Sequence, residues 1–544
     1  MSVRSRLFHR PPRWLAATVG LAGVITTLPT AGVAATPRAA IVRTTQGGGP
    51  IVATAAGPLR GLTTPTAQAF LGIPYAAPPV GVLRWRPPAP LAPGAGVLDA
   101  TAQRSACPQL SSSNGPTVTD EDCLFLNVYR PLRSPDAAPL PVLFWIHGGG
   151  FLTGSGNQFD GQVFAAANDA VVVTVNYRLG AFGFLAVPQL LAQDPAVGDL
   201  GLLDQQAALR WTQRNIAAFG GDPRAVTIAG ESAGGWAVCD QLASPTAAGL
   251  FRAAIIESGS CVTNTRAQAE ALAAPVIKAA GCATAAVVAC LRSKSSSQLL
   301  QASARFPTFP QPYPGVAVLP DRPYQAIRAG RWNRVPVLLG NNHDEARIFV
   351  AGVYPLSAQD YARQLAATFG ALAPQVLAQY PAAAYAQPFY AYSAALTDAS
   401  ELVGACVTQA NAGILQRAGA PTYEYEFDDR TAPPPVNVPY ALGAYHSAEL
   451  QFLWPGYDGH DVRRFDVPEQ QLSQAMIRYW GAFVRTGDPN YIGGVLWPRY
   501  VPAAGAVLAL RPGGDVVTHA FTADHHCGFW ASVESIPLLS GPAL

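Results

Sequence analysis

Short apolar runs alternate along the chain with longer stretches in which apolar residues recur every three or four positions. Val142–Ile146, Ala170–Val175, Val226–Ala229, Ala253–Ile256 and Val335–Leu339 are nearly continuous apolar runs. Strands covered on both faces of a parallel sheet read this way. Thr422–Phe427 alternates instead, with Glu424 and Glu426 on one side, which predicts a strand nearer the edge. Between the runs, residues 200–219 carry Leu203, Ala207, Trp211 and Ile216 on roughly one helical face. Residues 468–485 do the same with Leu472, Met476, Tyr479 and Phe483, and Gly487 follows as a stop signal. Alanine-rich residues 265–330 and 350–420 predict helices laid over the carboxyl edge of the sheet. Residues 36–50 read as a polar, glycine-rich leader, and the stretch from there to about residue 130 reads as strands broken by Pro and Gly turns. Strand–helix alternation without a repeat or a long linker predicts a doubly wound, mostly parallel α/β fold in one domain.

Chemistry enters where the runs end. Val226–Ala229 breaks into Gly230-Glu231-Ser232-Ala233-Gly234. In a G-x-S-x-G turn the serine sits between strand and helix with its oxygen above the sheet, and the next residue's N–H is left free to face an oxyanion. Val142–Ile146 ends in His147-Gly148-Gly149-Gly150-Phe151, the HGGG pattern of an oxyanion loop, where glycines let successive N–H groups point at one spot. Val335–Leu339 leads to Glu345, and His446 lies in a later loop. Nucleophile, acid and histidine in the order Ser232, Glu345, His446 belong to the α/β-hydrolases, not to the chymotrypsin or subtilisin arrangements.

With these residues in place the chain resembles the type-B carboxylesterases, the group that includes the cholinesterases, from about residue 48 to about residue 535. The resemblance rests on 70-FLGIPYA-76, 121-EDCLFLN-127, 176-NYRLG-180, 219-FGGDP-223 and 230-GESAGG-235. It implies an α/β-hydrolase fold with helical insertions over the active-site edge, and a serine esterase without metal or cofactor. Ser232 would be the nucleophile, Glu345 the acid and His446 the base. Gly149, Gly150 and Ala233 would donate to the oxyanion. Glu231 would lie in the pocket near His446, with Ser258 as a hydrogen-bonding neighbour. Arg84–Glu121 and Arg178–Asp204 match structural ion pairs. Asp199 departs from the pattern, which has asparagine there; that puts one loop hydrogen bond in question.

Composition narrows the class. With 49% hydrophobic and 13% charged residues, the 544-residue chain can bury a large core. A net charge of +2 without clustered Lys and Arg argues against nucleic acid as partner. Arg4, Arg6, Arg10 and Arg13 precede an apolar stretch from Trp14 to Leu28 and small residues at 31–35. This predicts a signal peptide over 1–35, cleaved near Ala34 or Ala35, with the esterase domain over 36–544. The apolar stretch is shorter than the roughly 20 residues that span a bilayer, so no stable membrane anchor is expected. In an exported chain, eight cysteines suggest disulfides, although eight permit 105 pairings. The resemblance implies Cys107–Cys123, Cys282–Cys290 and Cys406–Cys527, and leaves Cys239 and Cys261 as the remaining pair.

Other signals read as scaffold or surface. His460, His519, His525 and His526 sit in polar stretches and are expected on the surface, with 525-HHC-527 a surface turn. His343, two residues from Glu345, cannot easily fold back onto that carboxylate. No metal is expected, because His446 and Glu449 lack the second histidine of an HEXXH or HXXEH motif. The expected partner is a small-molecule or lipid-like ester. Two alternatives remain at this level: a non-catalytic adhesion or carrier member of the same fold, which would lose triad residues, and a lipase for long acyl chains.

One consequence follows from the segment between Cys107 and Cys123. In the cholinesterases the corresponding loop carries the tryptophan that receives the choline cation; here residues 108–122 contain no aromatic side chain. A cation–π contact is worth about 2 kcal/mol when desolvated. Butyrylcholine is therefore expected to be a poorer substrate than a neutral butyrate ester of similar size, measured as kcat/KM at fixed ionic strength. A choline value tenfold or more above the neutral one would assign the missing face to another aromatic, such as Phe306, Phe309 or Tyr313.

Overall fold

The computed structural model describes residues 48–92, 94, 96–133, 138–306, 310–457 and 464–533. The expected signal peptide, His9, His460 and Phe309 lie outside them. An 11-stranded sheet carries the fold. From one edge its order is Leu62–Thr63, Ala67–Pro74, Phe125–Pro131, Val171–Val175, Leu140–Ile146, Gly221–Glu231, Ala253–Glu257, Val337–Asn342, Thr422–Phe427, Val507–Leu510 and Val516–Thr518. Every neighbouring pair from Val171–Val175 to Val507–Leu510 is parallel, and the pairs beyond are antiparallel. A 3-stranded sheet of Ile51–Thr54, Gly57–Arg60 and Leu98–Asp99 sits apart. The chain thus has the expected α/β architecture, with the continuous apolar runs buried at its centre.

Two strands refine the sequence reading. Val335–Leu339 is displaced to Val337–Asn342, because the polar pair Asn341-Asn342 continues the strand with both side chains buried. Thr422–Phe427 does lie nearer an edge than the other expected strands, with two strands outside it, yet all six of its residues are buried. Its alternation has another cause. Tyr423, Tyr425 and Phe427 pack one side against Phe483, Trp480, Trp497 and Phe452. The opposite side is covered by the turn before Cys527, from which buried His525 meets Glu426 at 2.7 Å and Asp398 at 2.6 Å. An ionic partner inside the protein, rather than solvent, accounts for a glutamate there. His525 is therefore not a surface histidine. Burial alone would lower its pKa, but the two carboxylates push it up to about 10.

The helices keep their expected places with adjusted ends. The segment 200–219 is α-helical over Leu200–Asn215 and tightens to a 3₁₀ turn over Ile216–Phe219. Val467–Thr486 begins with an Asp466/Glu469 capping box and ends at Gly487, whose φ of 76° an L side chain disfavours. The two alanine-rich regions are helical: Arg266–Ala279, Val287–Ser293, Ser296–Ala304 and Pro323–Arg328, then Ala358–Phe369, Ala373–Gln379, Pro388–Ala399 and Ala405–Arg417. Asp199 is buried with φ 51°, and its Oδ2 accepts from Tyr313 N–H at 3.1 Å. The aspartate thus still holds a loop, although burial raises its pKa well above the usual carboxylate range.

Disulfides join Cys107 to Cys123, Cys239 to Cys261, Cys282 to Cys290 and Cys406 to Cys527. The last closes a span of 121 residues, worth about 5 kcal/mol as an upper limit from chain entropy. The denatured, unreduced protein should accordingly titrate with no free thiol. Two reactive thiols per chain would mean that Cys239 and Cys261 remain reduced.

Candidate active site

Leu140–Ile146, Gly221–Glu231, Ala253–Glu257 and Val337–Asn342 are consecutive neighbours in the sheet. Their carboxyl ends lead directly into His147–Gly150, Ser232, Ser258 and the segment 343–345. Parallel strands about 4.8 Å apart therefore deliver these segments to one edge, where open α/β sheets bind ligands.

Ser232 occupies the turn between strand and the helix Ala233–Ala243, with φ 56° and ψ −123°. That strained conformation is held by contact. A β-carbon on Gly234 would lie 2.0 Å from the Ile146 carbonyl oxygen, and one on Gly230 would lie 2.6 Å from Gly234 carbonyl atoms. Ser232 N–H is fixed to the Glu257 carbonyl at 2.9 Å. Ala233 starts the helix, so its N–H has no intrahelical acceptor. Across from it, Gly149 (φ 97°) and Gly150 (φ 63°) turn the glycine loop, and neither N–H has an acceptor among the described residues. Buried His147 stacks on Tyr177 at 4.4 Å, and burial lowers its pKa to about 4, so it is neutral.

Glu345 is fully buried. Its Oε1 accepts from Ser258 Oγ at 2.6 Å and from Asn342 N–H at 2.7 Å, and its Oε2 accepts from His446 Nδ1 at 2.6 Å. Ser258 thus neighbours Glu345. On the other side of the imidazole, His446 Nε2 faces Glu231 Oε1 at 3.2 Å. No hydrogen bond joins Ser232 Oγ to His446 among the described residues; such bonds are often long without substrate and tighten in the complex. Burial by itself would depress the His446 pKa, but Glu231 and Glu345 outweigh it and push the value up to about 9.

Three supports escaped the sequence reading. Asp344 takes Ala444 N–H on its Oδ2 at 3.1 Å and gives its own N–H to the Ala444 carbonyl at 2.8 Å, clasping the loop that carries His446. Glu449 accepts from Asn342 Nδ2, which also donates to the Tyr445 carbonyl at 2.7 Å. Glu257 accepts from Trp480 Nε1 at 2.7 Å, and burial with the nearby Glu231 charge raises its pKa to about 8. Asn341-Asn342 and the spacing of Glu449 after His446 were the available signals, but a polar pair at a strand end reads as loop. Arg84–Glu121 and Arg178–Asp204 are buried ion pairs. An apolar recess beside the glycine loop is lined by residues including Leu152, Phe184, Leu272 and Phe306. Tyr313 is buried beside Asp199.

Residues 48–530 match the Carboxylesterase family. The para-nitrobenzyl esterase of Bacillus subtilis is 37% identical over 83% of this chain and 92% of that protein. The cocaine esterase of Homo sapiens is 34% identical over 80% and 82% respectively. Among solved structures, a thermophilic PNB esterase superposes with a TM-score of 0.75 at 34% identity, covering 86% of this chain and 97% of that one.

The raised pKa of His446 fixes the sign of a pH effect. The stabilisation it contributes is full below about pH 6.5, the ordinary histidine value, and is lost as pH climbs through about 9. In Glu231→Gln, removing one anion should lower the NMR titration midpoint of His446 by about one unit or more. An unchanged midpoint would show that Glu231 does not act on the imidazole.

Proposed function

The chain belongs to the carboxylesterase family and is a carboxylic ester hydrolase, and from that premise we propose that Ser232, His446 and Glu345 carry the reaction. Ser232 Oγ attacks the ester carbonyl carbon while His446 Nε2 takes its proton. Glu345 holds the imidazole tautomer through Nδ1 and balances its charge. The carbonyl oxygen, now an anion, is received by the N–H groups of Gly149, Gly150 and Ala233, each worth about 3 kcal/mol by comparison with other oxyanion donors. Collapse breaks the ester C–O bond, and His446 returns the proton to the departing alcohol. Water then adds to the acyl-enzyme by the same route and releases the acid. Only neutral His446 can accept the first proton, so kcat/KM should climb with pH as the imidazolium of the free enzyme is lost.

The observation that carries this reading is the buried Glu345–His446 bond of 2.6 Å. Ser258 and Asn342 lock the acid, and the strained Ser232 turn stands at the next strand end. Glu231 serves as a positioning anion for the imidazolium. The substrate is a small-molecule ester. Export to an oxidising compartment is part of the proposal, supported by the disulfides; among the described residues no helix is long and apolar enough to cross a membrane.

Ser232→Ala should lower kcat for a p-nitrophenyl ester by about six orders of magnitude, as in serine proteases. Glu345→Gln should fold yet lose about four orders, because the amide favours the wrong tautomer. A Glu345→Gln enzyme within tenfold of wild type would assign the acid to another carboxylate.

A further inference from the structure

The buried cluster that corrected the reading of His525 is also a set of metal ligands. From His343, Glu426 and His525, one ligand atom each lies within 4.8 Å of the others. The two rings are 4.8 Å apart and tilted by 47°. Each donates Nδ1–H to a buried carboxylate: His343 to Asp344 at 3.1 Å and His525 to Asp398 at 2.6 Å. Metal-binding histidines are oriented in this way, with the second nitrogen's hydrogen bond fixing the tautomer and leaving the other lone pair for the ion. Here both Nε2 atoms turn to the same oxygen, Glu426 Oε1, at 2.7 Å from His525 and 4.0 Å from His343.

A proton on His525 Nε2 accounts for the shorter of these distances. It leaves the longer one unexplained, since 4.0 Å is beyond a hydrogen bond. A tetrahedral zinc ion with bonds near 2.1 Å would hold its ligands about 3.4 Å apart. One separation would widen by about 0.7 Å and the other close by about 0.6 Å. A further observation points the same way. Glu424 shares the Glu426 side of the strand, is fully buried, and neither carboxylate oxygen has a hydrogen-bond partner among the described residues. Burial and the neighbouring Glu426 raise its pKa well above the usual carboxylate range, so it is an unpartnered buried carboxyl group on the same side of the strand as Glu426. His343 is 24% exposed and gives the site an opening to solvent.

We propose that His343, Glu426 and His525 form a divalent transition-metal site of zinc type, with two imidazoles, one carboxylate and a solvent-facing fourth position. Two imidazoles and one carboxylate suit zinc, copper or nickel rather than calcium or magnesium. Nothing in the sequence announces the site, because its ligands come from three distant segments, none with the spacing of a zinc motif. The ion would tie the end of Val337–Asn342, the strand Thr422–Phe427 and the turn before Cys527 together. It would sit behind Asp344, which clasps the His446 loop, so its effect is on stability and not on the ester chemistry.

The test uses untagged, chelator-stripped protein with the disulfides intact. Cobalt(II) should produce visible d–d absorption that saturates at a single equivalent and is displaced by zinc. Zinc at a hundredfold excess over its Kd should raise Tm by about 2–4 °C. His343→Ala, at a partly exposed ring, and the isosteric Glu426→Gln should each weaken zinc binding more than about 100-fold, beyond the 10–100-fold typical of outer-shell partners. His519→Ala, at an exposed histidine, should bind as wild type. No saturable cobalt spectrum, or wild-type zinc affinity in His343→Ala with native near-UV circular dichroism, would overturn the site. His525 would then hold a proton between two carboxylates and nothing more.

Discussion

Strand Leu140–Ile146 and the helix after Ser232 approach so closely that a β-carbon at position 234 would stand 2.0 Å from the Ile146 carbonyl oxygen. That contact governs the site. It allows the chain to turn from strand to helix within one residue, which forces Ser232 to a positive φ. The same turn sets the free N–H of Ala233 at the helix start. The next strand over supplies the Glu257 carbonyl that pins Ser232 N–H. For the proposed reaction such preorganisation would cost nothing when bonds change, because the scaffold has already fixed the Ser232 turn and the Ala233 N–H.

Around this turn the fold collects acids. Glu231, Glu257, Glu345 and Glu449 are all buried, and one imidazole, His446, lies between Glu231 and Glu345. So many ionised carboxylates could not share a dry interior, and the structure divides the roles. Glu345 is an acceptor three times over. Glu257 is raised to about 8 and so keeps its proton at neutral pH. Glu449, raised by burial and by its acidic neighbours, braces Asn342. The negative charge facing His446 is thereby concentrated on the two carboxylates in contact with it.

Much of this was legible in the sequence, for definite reasons. Apolar runs such as Val142–Ile146 report burial on both faces, and Gly230, Ser232 and Gly234 report a turn that other residues cannot make. The gaps fell where polar side chains are buried with partners remote in sequence. Asn341-Asn342 looked like loop and proved to be strand. The alternation of Glu424 and Glu426 read only as a strand nearer the edge, because nothing local announces that His525, 99 positions on, will meet Glu426. Periodicity measures which side of an element is apolar; it is silent when an interior face is ionic.

The order of strands carries a last consequence. His147, Ser232, Ser258, Glu345 and His446 are neighbours in space but are scattered through most of the chain, because consecutive parallel strands are joined by long crossovers. Contacts of such sequence separation make folding slow, since each closes a large loop before it is rewarded. Only a segment that spans His147 to His446 contains the whole constellation. Ester cleavage is consequently a reporter of tertiary assembly, and a refolding reaction followed by it registers only molecules whose central strands have come together.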